Sequence, residues 1–415
     1  MNLHRVVVTG MAAVTPLGND LAASWQNLVN GVSGAGPITD FDVSAHDTKF
    51  ACLVKDFDPA RYGIGHKQAK RMDRFAQFGV ACAKMALDAS GLAITPELAP
   101  KVGVIMGCGL GGLDTIELYH KKLMEEGPSR ISPFFIPVLI ANMAAGQMAI
   151  FTGAKGPNIA TSTACASGVH GVGYAYTDIK LGRVKAMLCG GVESAITPLS
   201  VAGFNALKAL STRNDEPTKA SRPFDKDRDG FVIGEGCGVL VLESLEFARE
   251  RGANILAEVA GFGASGDAYH MTAPPESGEG AALAMQAALN EAGMSPTEVD
   301  CINAHGTSTP LNDLCETRGI KTVFGKHAYK LILTANKSMT GHCLGGAGAM
   351  ESVFSVMSMT QGIIPPTINY QTPDPECDLD FTPNQARKAQ VSVVMNNSFG
   401  FGGTNGALIF KKFQD

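Results

Sequence analysis

Residues 102–112 read VGVIMGCGLGG, and residues 391–403 read VSVVMNNSFGFGG. Each is an apolar, β-branched run that stops in a glycine-rich turn. That is the form of a strand buried on both faces and leaving its sheet sharply. The likeness of the two segments predicts two related halves, 1–252 and 253–415. Similar runs recur at 5–9, 186–189, 239–242, 255–260, 299–303 and 331–334. Helical patterns separate many of them. Residues 281–292, AALAMQAALNEA, are good helix formers throughout, with Gly293 just past the end. This alternation predicts an α/β fold.

At 415 residues the chain exceeds the roughly 250–300 residues at which a single core stops growing. Hydrophobic residues make up 45% and charged residues 18%, an ordinary globular balance. The net charge of −5 gives no global attraction to nucleic acid, so an acidic partner would need a local basic patch. The N-terminal apolar stretch is too short for a signal peptide, and no run approaches the roughly 20 residues of a membrane span. Ten scattered cysteines form no CxxC pair. They read as buried thiols in a reducing, cytoplasmic setting. The pattern GxGxxG occurs at 107–112 and at 261–266. Neither copy has the acidic residue a dinucleotide site requires, so both read as sharp strand exits and no cofactor is expected.

Three stretches carry chemistry. Residues 159–180, IATSTACASGVHGVGYAYTDIK, place Cys165 just before a helix whose face carries Val169, Val172, Tyr176 and Ile179. The positive end of that helix favours a thiolate, and its N–H groups are ready to receive an oxyanion. Residues 299–310, VDCINAHGTSTP, deliver His305 from a strand into a turn, where Thr309 can cap a helix beginning at Pro310. Residues 334–351, TANKSMTGHCLGGAGAME, place Lys337 and His342 ahead of a helix carrying Glu351. A histidine near a helix start is biased toward the neutral imidazole, which can donate a hydrogen bond to a carbonyl gaining charge. The absence of HxxxH or HExxH spacing argues against a metal site. On residues alone, Cys165 serves a transferase or a hydrolase equally well.

In these contexts the sequence resembles the β-ketoacyl-acyl-carrier-protein (ACP) synthase family of the thiolase-like superfamily, along essentially its whole length. The matching stretches are VVVTGMAAVTPLGND, STACASGVH, GGVES, STRND, SRPFDKDRDGFVIGEG, NAHGTSTPLND, NKSMTGHCLGGAGAMES and NNSFGFGGTNG. The segment GDAYHMTAPPESGEG is similar to the type II members. The resemblance implies a five-layered αβαβα fold, a homodimer, and decarboxylative condensation of acyl-ACP with malonyl-ACP through an acylated Cys165. It implies that His305 and His342 hold the malonyl thioester carbonyl, with Lys337 and Glu351 supporting the site. It places the oxyanion hole at the N–H groups of Cys165 and Phe401. The loop Gly400, Phe401, Gly402, Gly403 becomes a gate with Phe399 beside it. Thr272, Thr307 and Thr309 become substrate contacts, and Leu110 the limit of the acyl pocket. Lys67, Lys70 and Arg71, with Arg130 and Lys208, become the dock for the acidic carrier protein.

Rival readings are a thiolase, which pairs its nucleophile with a second cysteine, and a Cys-His hydrolase, which needs no second histidine. A polyketide or specialised-lipid ketosynthase would use the same residues. A non-catalytic chain-length-factor-like partner usually lacks the nucleophile.

Overall fold

The computed structural model describes residues 3–414. One continuous sheet is built from β1 Val6–Val14, β2 Val102–Gly107, β3 Asn158–Thr161, β4 Ala186–Glu193 and β5 Gly236–Ser244. It continues through β6 Ala257–Gly266, β7 Cys301–Asn303, β8 Ile332–Thr334, β9 Val393–Gly400 and β10 Thr404–Lys411. Across the sheet the order is β8-β7-β9-β10-β6-β1-β5-β4-β2-β3. Each set of five strands therefore lies third, second, fourth, fifth, first from its outer edge inward. In both sets the first three of that order are parallel, and the fifth strand runs antiparallel to both neighbours. The sets join where residues 6–8 pair antiparallel with residues 257–259.

Alternate side chains of each strand enter different cores, as the pleat requires. Helices α1 Arg74–Ser90 and α2 Met143–Thr152 cover one outer face, packing on Val102, Val104 and Met106. Ile105 points the other way, into a central core shared with α3 Ser167–Lys180 and with Val353 and Val356. Helices α4 Glu279–Ala292 and α5 Pro310–Phe324 cover the far face, against Ile302, Leu333, Met395 and Ile409. Helix α6 Ala347–Gln361 lies beside α3 in the middle. The layers thus run αβαβα. Each fully buried aliphatic side chain contributes roughly 1.5–3 kcal/mol, so both faces of the strands must be covered.

Glycine permits the central crossing. A Cβ on Gly168 would lie 2.8 Å from the Ala349 nitrogen, and one on Gly348 would lie 2.7 Å from Val169.

One expectation is corrected, and the likeness of two segments gains its physical reason. Residues 102–112 and 391–403 resemble each other, but they are not equivalent. The first holds the second strand of its set and the second holds the fourth. Their likeness reflects a shared environment, a buried strand ending at a tight turn. The GxGxxG at 261–266 lies within β6 rather than at its exit. Its glycines let α4 approach: a Cβ on Gly263 would stand 2.1 Å from the Ala284 carbonyl oxygen.

Candidate active site

The parallel strands of both sets run out at their carboxyl ends, where α/β sheets gather chemistry. Strand β3 leads through residues 162–166 to α3, and Cys165 sits in that turn with 8% exposure. Ala164, just before it, has φ of +50°, a conformation costing a non-glycine residue on the order of 1–3 kcal/mol. Its neighbours hold it there. The Ser167 hydroxyl donates to the Ala164 carbonyl at 2.6 Å and accepts from the Thr163 N–H at 2.8 Å. The Thr404 hydroxyl donates to the Thr163 carbonyl at 2.8 Å, and Ser398 donates to the Cys165 carbonyl at 2.9 Å. His170 donates from Nε2 to the Asn405 carbonyl at 3.1 Å, which leaves Nδ1 to accept from the Thr163 hydroxyl at 2.7 Å.

Burial pushes the Cys165 thiol up to about 12. Lys337 pulls it down, Glu193 raises it, and the N–H groups of Phe401 and Cys165 lower it. This overturns the expectation of a lowered thiol. Desolvating a thiolate costs more than the partial charge of a helix end returns. The same two N–H groups, both directed at the sulfur, are where an oxyanion on a sulfur-bound carbon would find donors.

Strand β7 delivers His305 and the loop after β8 delivers His342. Their rings lie 5.3 Å apart at 84°, and Phe399 stands edge-on to His305 at 5.6 Å. Both imidazoles are held well below the usual range. Burial is the main cause, followed by the charge of Lys337, and for His305 by His342 as well. Both are therefore neutral at pH 7, as expected. Neither Nδ1 has a hydrogen-bond partner among the described residues. Lys337 and Glu351 are both buried and meet at 2.6 Å. Burial raises the carboxyl of Glu351, while Lys337 opposes that shift. Thr309 precedes Pro310 at the start of α5, but its side chain does not cap the helix; it pairs with Thr307 at 2.9 Å.

One cavity of about 580 Å³ gathers these groups. Its walls include Leu110, Cys165, Lys208, Thr272, His305, Thr307, Thr309, His342, Phe399, Gly400 and Phe401. Lys337 and Glu351 lie behind that wall. Phe401 is 37% exposed at the tip of the hairpin between β9 and β10. Gly402 beside it has φ of +81°, and its N–H donates to the Met271 carbonyl at 2.7 Å. A Cβ on Gly400 would stand 2.8 Å from the Thr163 oxygen and 3.1 Å from the Cys165 nitrogen. No side chain fits there without moving Cys165.

Lys67, Lys70, Arg71, Arg130 and Lys208 are all exposed. Arg71 lies over the Phe134 ring at 4.7 Å, and Arg130 is paired with Glu126 at 2.8 Å. Arg74 belongs to the same run but turns inward to a two-pronged pairing with buried Glu235.

Sequence reasoning missed two buried carboxylates. Glu316 on α5 accepts the N–H groups of His305 and Gly306, each at 2.8 Å, and burial pushes it up to about 7. Glu193 ends β4 and accepts several N–H groups of the loop after β2. Glu193 closes the apolar run 186–192, the one available signal, while Glu316 follows the mixed stretch PLNDLC and offers none. Four buried oxygens, on Asn303, Asn396, Asn397 and Glu351, also lack hydrogen-bond partners among the described residues. No cluster of three His, Cys, Asp or Glu suited to a metal occurs among the described residues.

The models of the β-ketoacyl synthase N-terminal and C-terminal domains match residues 3–248 and 256–371. The chain belongs to the β-ketoacyl synthase family. It is 53% identical, over the whole of both chains, to 3-oxoacyl-[acyl-carrier-protein] synthase 2 of Vibrio harveyi. A β-ketoacyl synthase structure from Burkholderia phymatum superposes with a TM-score of 0.92 at 36% identity, covering 99% of this chain and 100% of that one. A type II polyketide ketosynthase solved with its acyl-carrier protein superposes at 0.88 and 34% identity, with the same coverage.

Proposed function

We propose that this chain is a 3-oxoacyl-ACP synthase, elongating acyl chains by decarboxylative condensation in type II fatty acid biosynthesis. The observation that carries the reading is one cavity walled by Cys165, His305 and His342, with both imidazoles neutral. In the first step the Cys165 sulfur attacks the acyl-ACP carbonyl. Its proton ends on the departing carrier thiol, and the N–H groups of Cys165 and Phe401 hold the oxyanion. In the second step the malonyl thioester carbonyl lies against His305 and His342. The carbon–carbon bond to the carboxylate breaks and carbon dioxide leaves. The electron pair becomes an enolate whose oxygen accepts from the two imidazoles. The enolate carbon attacks the acyl thioester, and the Cys165 sulfur leaves as a thiolate that takes a proton from solvent. Neutral imidazoles suit this step, because they stabilise the oxygen without protonating the carbon.

Lys337 and Glu351 support the histidines. Phe401, between Gly400 and Gly402 with Phe399 beneath, gates the acyl chain; two flanking glycines and 37% exposure favour a mobile aromatic. Thr272, Thr307 and Thr309 line the arm's path, and Leu110 limits the acyl pocket. The carrier docks on Lys67, Lys70 and Arg71, with Arg130 and Lys208 as outlying contacts. Full-length identity of 53% to a 3-oxoacyl-ACP synthase, against 34% to a polyketide ketosynthase, favours fatty acyl substrates. The presence of Cys165 disfavours a non-catalytic partner.

The chain divides into halves at 252/253, a boundary between the two matched domain models and between β5 and β6. It acts as a homodimer. Strand β3 is an open, half-exposed sheet edge with Ile159 and nearby Ile150 exposed, the kind of edge a second copy covers. Its setting is the cytoplasm. All ten cysteines are free and buried, and no helix among the described residues is long and apolar enough to cross a membrane.

The test mixes purified protein with acyl-ACP and malonyl-ACP and reads products by intact mass. A carrier-bound 3-oxoacyl chain two carbons longer is expected. Free acid without elongation would point to a hydrolase, and condensation surviving in Cys165→Ala would sink the mechanism.

A further inference from the structure

Glu193 is buried at the end of β4. Its carboxylate accepts the N–H groups of three consecutive residues: Gly109 at 2.8 Å, Leu110 at 3.1 Å and Gly111 at 3.1 Å. Successive N–H groups converging on one anion form a nest. The Cys108 thiol lies 3.4 Å from the same carboxylate, and the Gly345 N–H donates to it at 3.2 Å. Cβ atoms on Gly109 or Gly345 would each stand 2.8 Å from its Oε2, so both loops close tightly around it.

The two loops do different things. The first presents Leu110 to the catalytic cavity, with 47% of that residue exposed. The second carries His342 and Leu344, and Leu344 packs in one cluster with Cys165. One carboxylate therefore fixes the separation between the Leu110 wall and the nucleophile end of the cavity. Every hydrogen bond of the Glu193 carboxyl goes to these two loops and none to Cys165, so its contribution is positional.

We propose that Glu193 is a specificity-determining positioning residue, which sets the depth of the acyl pocket by locking Leu110 relative to Leu344. The inference rests on the reading of Leu110 as the wall an acyl chain meets.

The experiment measures kcat/KM for acylation of Cys165 by hexanoyl-, dodecanoyl- and hexadecanoyl-ACP. It compares the unaltered protein with Glu193→Gln, Glu193→Asp, Leu110→Ala and the double variant Glu193→Gln with Leu110→Ala. Glu193→Gln should change the long-to-short ratio by about fivefold or more. Glu193→Asp keeps the charge but withdraws its oxygens, and should move the ratio the same way. The double variant should match Leu110→Ala alone, because the lock has nothing left to position. Equal losses at every chain length would overturn the inference, as would full additivity in the double variant. An unchanged ratio in Leu110→Ala would instead bring down the reading of Leu110, and the inference with it. If Glu193→Gln fails to fold, Glu193→Asp carries the same comparison.

Discussion

The two five-strand sets share one strand order and one pattern of directions, yet their exits differ. The third strand of the first set leads to Cys165, and the third strand of the second leads to His342. The second strand of the first set leads to the Leu110 loop, and its counterpart leads to His305. Between fourth and fifth strands the first set makes a long excursion, while the second makes the tight Phe401 hairpin. A repeated scaffold has placed Cys165 on one side of a cavity and the imidazoles of His305 and His342 on the other. The clamps differ too. Glu193 reaches its loop from the neighbouring strand, and Glu316 reaches its loop from the following helix.

That division of labour can be broken experimentally. The largest effect is expected for Cys165→Ala, which removes the first set's contribution. Condensation should fall on the order of 10⁴-fold or more, while malonyl-ACP decarboxylation, measured as released carbon dioxide, persists. Loss of both together would mean the two sides do not work separately. The reciprocal change is His305→Ala or His342→Ala. Decarboxylation should fall about 10²–10³-fold, with acylation of Cys165, followed by intact mass, reduced far less.

Glu316→Gln tests the second set's clamp through pH. The folded-state value of about 7 lies above the ordinary 4.5. The folded protein therefore binds more protons between these values, and stability falls as pH rises through that window. The contribution is complete below 4.5 and is lost by about pH 7. Replacing Glu316 should flatten this fall by about 3 kcal/mol in urea titrations. An unaltered slope would show that Glu316 is not the group responsible. The smallest effect concerns the outer surface. Alanine at Lys67, Lys70 or Arg71 should raise the KM for ACP by roughly twofold to fivefold each, fading at high salt. A rise that salt does not diminish would argue against an electrostatic dock.

Much of the fold was legible because buried strands must be apolar on both faces. All eight runs read from Val- and Ile-rich composition are strands. The two strands of the ten-stranded sheet that were left out have physical reasons. Strand β3, NIAT, is short and half-exposed at the sheet edge, and β10, TNGALIFK, begins directly after a glycine turn. Cys165, His305 and His342 stood out through glycine-rich contexts at strand ends. Lys337 and Glu351 took their roles from family resemblance, since an isolated lysine reads as a surface charge and an isolated glutamate as a satisfied helix carboxylate. Glu193 and Glu316 stayed hidden for the same reason. Their roles come from which N–H groups converge on them, and convergence is a property of the folded backbone. The thiol was misjudged because a sequence displays a helix start but not the depth of burial around it.

The close crossing of α3 and α6 also has a consequence for synthesis. Helix α3 hides Val169 and Val172 in a core shared with Val353 and Val356, which are translated much later. At roughly 5–20 residues per second, the nascent chain carries that apolar stripe without its native cover for on the order of ten seconds or more. Ribosome-bound chains stopped short of α6 should therefore be the species most dependent on chaperones.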